Sequence, residues 1–250
     1  LGLVGSEMCI RDRKPAAHQQ GTSVEVRDLF YATPARLKFL KTERTEMNHV
    51  TDAVKRLAMA HPNIAFTLFN GERHILKVSC SQGDFLSTRL DRLDTIMGNE
   101  FGLNALTIDA EREGLILTGH AGLPTLNRGN ASLQYLFVND RSVRDKLFFG
   151  AVRGSYRDFL AHDRYPLLAL FLEVPPDALD VNVHPAKTEV RFRDPGLVRG
   201  LIVSALKHAL AGAGHRASTT VSQATLGALQ SPVNKQLFVQ SAQGTNVTSG

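Results

Sequence analysis

Residues 180–192 carry the sequence DVNVHPAKTEVRF, in which two short strand-like runs flank a proline. The valines of the first run alternate with polar residues, as in a strand with one buried face. Proline has no backbone donor and restricts the residue before it, so the chain is expected to leave the sheet at His184-Pro185. The alternation resumes at residues 189–192. The pattern predicts a loop held between two anchored strands, with Lys187 near its end.

A lysine on such a loop is a compact cation that suits a phosphate group. On spacing alone, a solvated surface lysine is the favoured interpretation of Lys187, and a phosphate contact is the alternative. His184 has no Cys or His at ligand spacing, so no metal site is predicted here.

Composition favours a globular protein with a modest basic excess. The chain has 250 residues, 43% of them hydrophobic, a net charge of +5 and a pI near 9.4, which is compatible with a nucleic-acid partner. Cys9 and Cys80 suggest no disulfide framework, which suits a reducing cytoplasm. We find no secretory signal and no apolar run near the roughly 20 residues of a membrane span, so no membrane partner is expected.

The chain divides by composition into four parts. Residues 1–13 have no clear period and resemble translated sequencing adapter, so we treat them as non-native and expect the protein to extend upstream. Mixed helical and strand patterns fill two blocks, 14–80 and 84–212. Residues 213–250 are rich in Gly, Ser, Thr and Gln and predict a flexible linker or tail.

Periodicity predicts an α/β fold in both blocks. The second block offers at least four strands with two covering helices, which predicts an α/β sandwich with one sheet face covered. The first predicted elements are a strand over 21–30 and a short helix capped by Thr33, with Pro34 in its first turn. Longer helices are predicted over 43–60, 85–97, 142–161 and 195–210. Hairpins are predicted over 64–80 and 105–120, and further strands over 133–138 and 167–174.

Residues 21–40 carry a second informative run, GTSVEVRDLFYATPARLKFL. Gly21 lets a phosphate approach the backbone and the Thr22 hydroxyl can bond to one, although this dipeptide alone has no diagnostic value. The whole run resembles the last nucleotide-site motif of MutL-type ATPases of the GHKL superfamily. Residues 180–192 resemble the lysine loop of the same DNA mismatch repair family. The family usually has asparagine where this chain has Ala32, so a softer turn is expected there.

The resemblance implies a fold and a nucleotide site. It implies the rear part of a GHKL ATPase domain followed by a ribosomal-protein-like transducer domain. It places Gly21 and Thr22 near the phosphates of ATP, and it gives Lys187 the catalytic contact to the terminal phosphate. It places the water-activating glutamate and the asparagine that holds Mg²⁺ upstream of Gly21. We therefore expect ATP hydrolysis of the intact protein and none by this chain alone.

The helix predicted from Ser142 has two different faces. At about 100° per residue, Lys146, Arg153 and Arg157 form a narrow stripe opposite Phe148, Ala151, Val152 and Phe159. A solvated face explains this arrangement, and a contact to phosphate backbone is the functional alternative. In the MutL family the position of Lys146 is a basic DNA-contact residue, which favours DNA. Arg144, just before the helix, completes the predicted DNA-binding set.

The function implied by the resemblance is that of a mismatch repair matchmaker. Such a protein dimerises on binding ATP, contacts DNA, and couples a mismatch-recognition protein to a helicase or a nick-directing endonuclease, in the bacterial cytoplasm at the nucleoid. Two alternatives remain open at this point. One is a non-enzymatic nucleic-acid-binding module, and the other is a topoisomerase-like GHKL ATPase.

Overall fold

A computed structural model describes residues 20–80, 83–180 and 190–229, without the side chains of residues 85, 180 and 214–229. The chain divides into two compact units, Leu1–Met47 and Asn48–Gly250. The helices are α1 (Glu43–Ala60), α2 (Phe85–Met97), α3 (Asn99–Leu103), α4 (Lys146–Tyr156) and α5 (Pro195–Leu229). The strands are β1 (Phe66–Asn70), β2 (Arg73–Val78), β3 (Ala105–Arg112), β4 (Leu115–Gly122), β5 (Asn127–Arg128), β6 (Gln134–Val138), β7 (Arg141–Val143), β8 (Tyr165–Pro166), β9 (Leu168–Glu173), β10 (Leu179–Asp180) and β11 (Arg191–Phe192).

The strand predicted at the start of the first unit is not formed. Residues 22–27 have no regular structure, and none of the described strands pairs with them. Val24 and Val26 alternate as predicted, but their side chains are 83% and 72% exposed. A strand is defined by hydrogen bonds to a neighbouring strand, which alternation along one segment does not supply.

A tight turn follows this segment. Tyr31 N donates to Asp28 O at 2.8 Å and Thr33 N donates to Phe30 O at 2.9 Å. The helix after the turn, Pro34–Phe39, is a 3₁₀ helix with its proline in the first turn, as predicted. Thr33 makes no capping hydrogen bond through its side chain, so that part of the prediction is wrong.

Five strands of the second unit form the central sheet, in the order β3-β4-β9-β6-β7. Strands β6 and β9 run parallel, and the other neighbouring pairs are antiparallel. The α/β fold class is confirmed. Both predicted hairpins form as well, β1 with β2 and β3 with β4. Glu113 and Gly114 close the second hairpin, and both have positive φ, as in a tight two-residue hairpin turn.

Helices cover both faces of this sheet, not one face as predicted. Leu136 and Leu170 belong to a core that also contains buried side chains of α4 and α5. Phe137 and Phe171 belong to a second core, with the end of α1 and with α2 and α3. The cause is visible in β6 and β9, which are almost continuously apolar and therefore have no face suited to water.

Helix α5 is longer than predicted. Its periodicity predicts an end near Leu210, but the helix continues to Leu229, so residues 213–229 of the predicted linker are helical. The chain has no proline between Pro195 and Pro232 to stop it. Length and composition alone would let Pro195–Ala213 cross a membrane. Its apolar stripe is instead buried in the core, through Val198, Leu201, Ile202, Leu206 and Leu210.

A strand lies on either side of the lysine loop, as predicted, and the two strands pair with each other. Strands β10 and β11 are antiparallel, with Leu179 opposite Phe192 and Asp180 opposite Arg191. Phe192 is buried in the core beneath α4 and α5, where its ring lies 5.8 Å from that of Phe148. The loop itself, residues 181–189 with Lys187, lies outside the described residues.

Two buried arginines of α2 form hydrogen bonds with neighbouring segments of the chain. Arg92 Nη2 donates to the backbone oxygens of Pro62, Ile64 and Ser79 at 2.6, 2.9 and 2.7 Å. Arg89 Nη1 donates to Thr118 Oγ1 at 3.0 Å, and its guanidinium carbon lies 3.7 Å from the ring centre of Phe171. Burial lowers the pKa of Arg89 to about 10, which still leaves it cationic at neutral pH.

His120 of β4 lies close to this buried cation. Its side chain is 1% exposed, and burial first, then Arg89, lowers its pKa from 6.5 to about 4. As the pH is lowered, His120 therefore takes up its proton at a higher pH in the unfolded chain than in the folded chain. Folding stability from this group is complete above pH 6.5 and falls as the pH drops from 6.5 towards 4.

We predict that His120→Leu removes part of the acid sensitivity of the fold. The free energy of unfolding of the wild type should fall between pH 7 and pH 4 by as much as about 3 kcal/mol more than that of the variant. Urea unfolding followed by circular dichroism at each pH measures this. His49→Leu makes the same substitution at an exposed histidine and serves as the control for the change of side chain. Parallel profiles for wild type and His120→Leu would show that His120 does not stay neutral in the fold.

Candidate nucleic-acid interface

The cationic helix α4 is positioned by a tight turn between β6 and β7. Asn139 and Asp140 form this turn with φ of +46° and +61°, the backbone of a two-residue hairpin turn whose twist matches the strands. The side chain of Asn139 is bound to the end of β9: its Nδ2 donates to Val174 O at 2.9 Å, and Val174 N donates to its Oδ1 at 2.8 Å. The turn is thus fixed to the centre of the sheet.

Asp145 starts α4. Its carboxylate accepts a hydrogen bond from Leu147 N at 2.8 Å, which satisfies one of the free donors at the helix N-terminus. The helix is shorter than predicted, because Arg141–Val143 pairs with β6 as β7 and the helical hydrogen bonds end at Tyr156.

The two faces of α4 match the helical-wheel prediction within the helix. Phe148, Ala151 and Val152 are at most 1% exposed, whereas Lys146, Arg153 and Arg157 are exposed. Phe159 departs from the prediction, because it follows the end of the helix and is 51% exposed. The core on one face therefore fixes the direction in which the cations point.

Arg144 belongs to a local network rather than to the open stripe. Its Nη2 donates to Asp52 Oδ2 at 3.1 Å, and the same oxygen accepts from Arg56 Nε at 2.8 Å. Arg56 Nη1 also donates to Ser142 Oγ at 2.9 Å, and its guanidinium lies 4.9 Å from the ring centre of Tyr135. This network joins α1 to the segment that leads into α4.

The three cations of the stripe differ in their contacts. Arg153 Nη2 donates to His162 Nδ1 at 2.6 Å and to His162 O at 3.3 Å, so it also braces the segment after α4. Lys146 and Arg157 form no ion pair within the part of the chain that the structure describes. These two side chains are therefore the ones most available to an external anion.

The predicted nucleotide residues are described only in part. Gly21 has φ of +138° and no atom within 4 Å of the position that a Cβ would take, and Thr22 is exposed. An open glycine backbone beside a free hydroxyl suits a phosphate group. Lys187 lies outside the described residues. Searched over the described residues, the structure has no group of three or more His, Cys, Asp or Glu side chains able to hold a metal ion.

Comparisons with known proteins show which protein family this chain resembles. The family model described as "DNA mismatch repair protein, C-terminal domain" matches residues 93–211. DNA mismatch repair protein MutL of Rhodospirillum rubrum is 65% identical over 217 residues, which are 87% of this chain and 34% of that protein. MutL of Paramagnetospirillum magneticum is 62% identical over 215 residues, 86% of this chain and 35% of that protein.

The chain belongs to the MutL family of DNA mismatch repair proteins. It spans about a third of the length of the MutL proteins it matches. The predicted family is thereby confirmed. A solved structure described as the N-terminal domain of a DNA repair protein has a TM-score of 0.58 and 19% identity, covering 73% of this chain and 59% of that one. That likeness concerns the fold alone.

Sequence reasoning missed the network around Asp52. The partners are 86 and 92 residues apart along the chain, and each is an ordinary charged or polar residue in its own surroundings. The cavity beside α4 was not predicted either. The paired glycines of that helix, Gly150 and Gly154, were a visible signal for it, because glycine is a poor helix former.

We predict that Asp52 couples more strongly to Arg56 than to Arg144. The side chain of Arg56 is 13% exposed and that of Arg144 is 63% exposed, so solvent screens the second pair more. Double-mutant cycles with alanine at each position, measured by urea unfolding, should give a coupling free energy below about 1 kcal/mol for Asp52 with Arg144. A larger coupling for that pair than for Asp52 with Arg56 would contradict the geometry.

Proposed function

We propose that this chain is the DNA-contacting and nucleotide-sensing part of a MutL-type mismatch repair protein. The observation that carries the proposal is the exposed cationic face of α4, whose opposite face is locked into the core. Cations held on a rigid helix suit the regularly spaced phosphates of DNA and carry no base specificity. Lys146 leads this set, supported by Arg157 and Arg153, with Arg144 at its edge.

The nucleotide part of the proposal rests on the two sequence motifs. Gly21 and Thr22 would lie against the phosphates of ATP, and Lys187 would contact the terminal phosphate. The open backbone at Gly21 is consistent with this role. When bound, ATP with Mg²⁺ supplies a phosphate charge that is present before hydrolysis and released after it. A lysine that responds to this charge suits a switch between two states.

In the intact protein this switch would control dimerisation. The ATPase would be of the GHKL type, and the ATP-bound homodimer would hold DNA and couple a mismatch-recognition protein to a helicase or a nick-directing endonuclease. The site of action would be the bacterial cytoplasm, at the nucleoid. The high identity to MutL proteins supports this role.

The DNA contact is tested by reversing two charges of the stripe, Lys146 in the first turn of α4 and Arg157 at its C-cap. Lys146→Glu with Arg157→Glu should weaken binding to duplex DNA at least tenfold at low salt, and it should reduce the slope of log K against log salt by about 2, since two phosphate contacts are lost. Fluorescence anisotropy at several salt concentrations measures both quantities.

The matched control for this test makes the same charge change elsewhere. Arg73 and Lys77 are exposed on β2, so Arg73→Glu with Lys77→Glu should have the smaller effect on DNA binding. Equal losses in the two double variants would mean that net charge alone, rather than the face of α4, attracts DNA.

The nucleotide switch is tested in the full-length protein. Lys187→Ala should greatly reduce dimerisation on addition of ATP, because the terminal phosphate loses its cationic partner. Analytical ultracentrifugation with and without ATP measures the dimer, and Lys77→Ala serves as a control lysine. ATP-dependent dimerisation of Lys187→Ala at wild-type levels would refute the assigned role of Lys187.

A further inference from the structure

A cavity of about 710 Å³ lies between α4 and the segment that follows it, residues 157–166. Its walls include the half-buried side chains of Phe149, Leu160 and Tyr165. A volume of this size is typical of pockets that bind a ligand of drug-like size. Lys146, the first cation of the stripe, is not part of its lining.

Two glycines form the helical wall of this cavity. Gly150 and Gly154 are both exposed and one helical turn apart, and a Cβ added at either would meet no atom within 4 Å. Packing inside the protein therefore does not require glycine at either position, although glycine weakens a helix. What the two glycines do provide is an open helix surface, which lets another chain approach the backbone of α4 closely.

Positive charge surrounds the apolar walls. Arg153, Arg157 and Arg164 belong to the lining, and among the residues that the structure describes no Asp or Glu does. An apolar wall with a cationic rim is complementary to an apolar group that carries acidic groups on its flanks. We call this site the Gly-Arg groove, defined by Gly150, Gly154 and the three arginines.

We propose that the Gly-Arg groove binds an acidic peptide segment of a protein partner. An aromatic or branched aliphatic side chain of the peptide enters between the two glycines and Tyr165, and Asp or Glu residues beside it pair with the arginines. Apolar anchors in a pocket, framed by charges, are a common form of peptide recognition.

The neutral polar groups of the groove favour a peptide over a nucleobase. Gln134 Nε2 already donates to Pro166 O at 3.2 Å, and the Tyr156 hydroxyl already donates to Gly122 O at 2.7 Å. Gln134 Nε2 and the Tyr156 hydroxyl are therefore not free to donate to a buried nucleobase. The hydrogen-bonding groups on the edge of the base would lack these two donors, and burying unsatisfied polar groups costs free energy. An apolar side chain has no such groups to satisfy.

This inference goes beyond the proposed DNA contact but shares Arg153 and Arg157 with it. The two must therefore be tested by different residues. Gly154→Leu fills the groove and leaves every cation in place, whereas Lys146→Glu alters the DNA face outside the groove. Loss of DNA binding in Lys146→Glu and loss of peptide binding in Gly154→Leu are separate results, so either proposal can fail alone.

The experiment selects ligands for the groove directly. A random dodecapeptide phage library is panned against the 250-residue chain after depletion on Gly154→Leu. We expect enriched peptides in which acidic residues flank an aromatic or aliphatic residue. A fluorescein-labelled synthetic copy of the enriched sequence should bind at least tenfold more weakly to Gly154→Leu, and to Arg157→Gln with Arg164→Gln, than to wild type.

Matched variants separate filling of the groove from a change in the fold. Gly212→Leu makes the same change on α5, where an added Cβ also meets no atom within 4 Å, and it should leave peptide affinity within twofold of wild type. Gly154→Leu should melt at or above the wild-type temperature, because leucine is the better helix former. If it melts lower, Gly150→Leu on the preceding turn takes its place in the comparison.

Three results would overturn the proposal. The first is a library that yields no enriched sequence. The second is enrichment of peptides that lack acidic residues, or of peptides that bind wild type and Gly154→Leu with equal affinity. The third is a loss of affinity for a single-stranded oligonucleotide in Gly154→Leu without a loss of affinity for the peptide. That result would assign the groove to nucleic acid.

Discussion

Burial of β6 and β9 on both sides is the constraint on which the second unit depends. These two strands are parallel neighbours at the centre of the sheet and present apolar side chains to both faces. Phe137 and Phe171 stack with ring centres 4.5 Å apart on one face, while Leu136 and Leu170 are fully buried on the other. Each face must be covered by helices, since exposure of such strands would lose the hydrophobic stabilisation of the sheet.

The functional face of α4 is a consequence of this burial. Because Phe148, Ala151 and Val152 are committed to the core, the helix cannot rotate without exposing them, and the cations on its other side stay directed outward. The turn at Asn139-Asp140 and the cap at Asp145 then determine where the helix begins. Rigid packing on one side thus positions a charged surface on the other.

Long-range polar contacts connect distant parts of the second unit. Arg92 holds three backbone carbonyl groups that border β1 and β2, and Asp52 joins α1 to the residues before α4. The Arg92 contacts satisfy buried or partly buried polar groups that would otherwise destabilise the fold.

The sequence by itself determined the α/β class, the two hairpins, the exposed and buried faces of α4, and the family, because these follow from local periodicity, turn chemistry and motif order. Only the tertiary structure decided that both sheet faces are covered, that Val24 and Val26 lie in no strand, that Arg144 is paired with Asp52, and that Gly150 and Gly154 open onto a cavity. Each of these depends on which residues, far apart in the chain, become neighbours, and a local pattern does not contain that information.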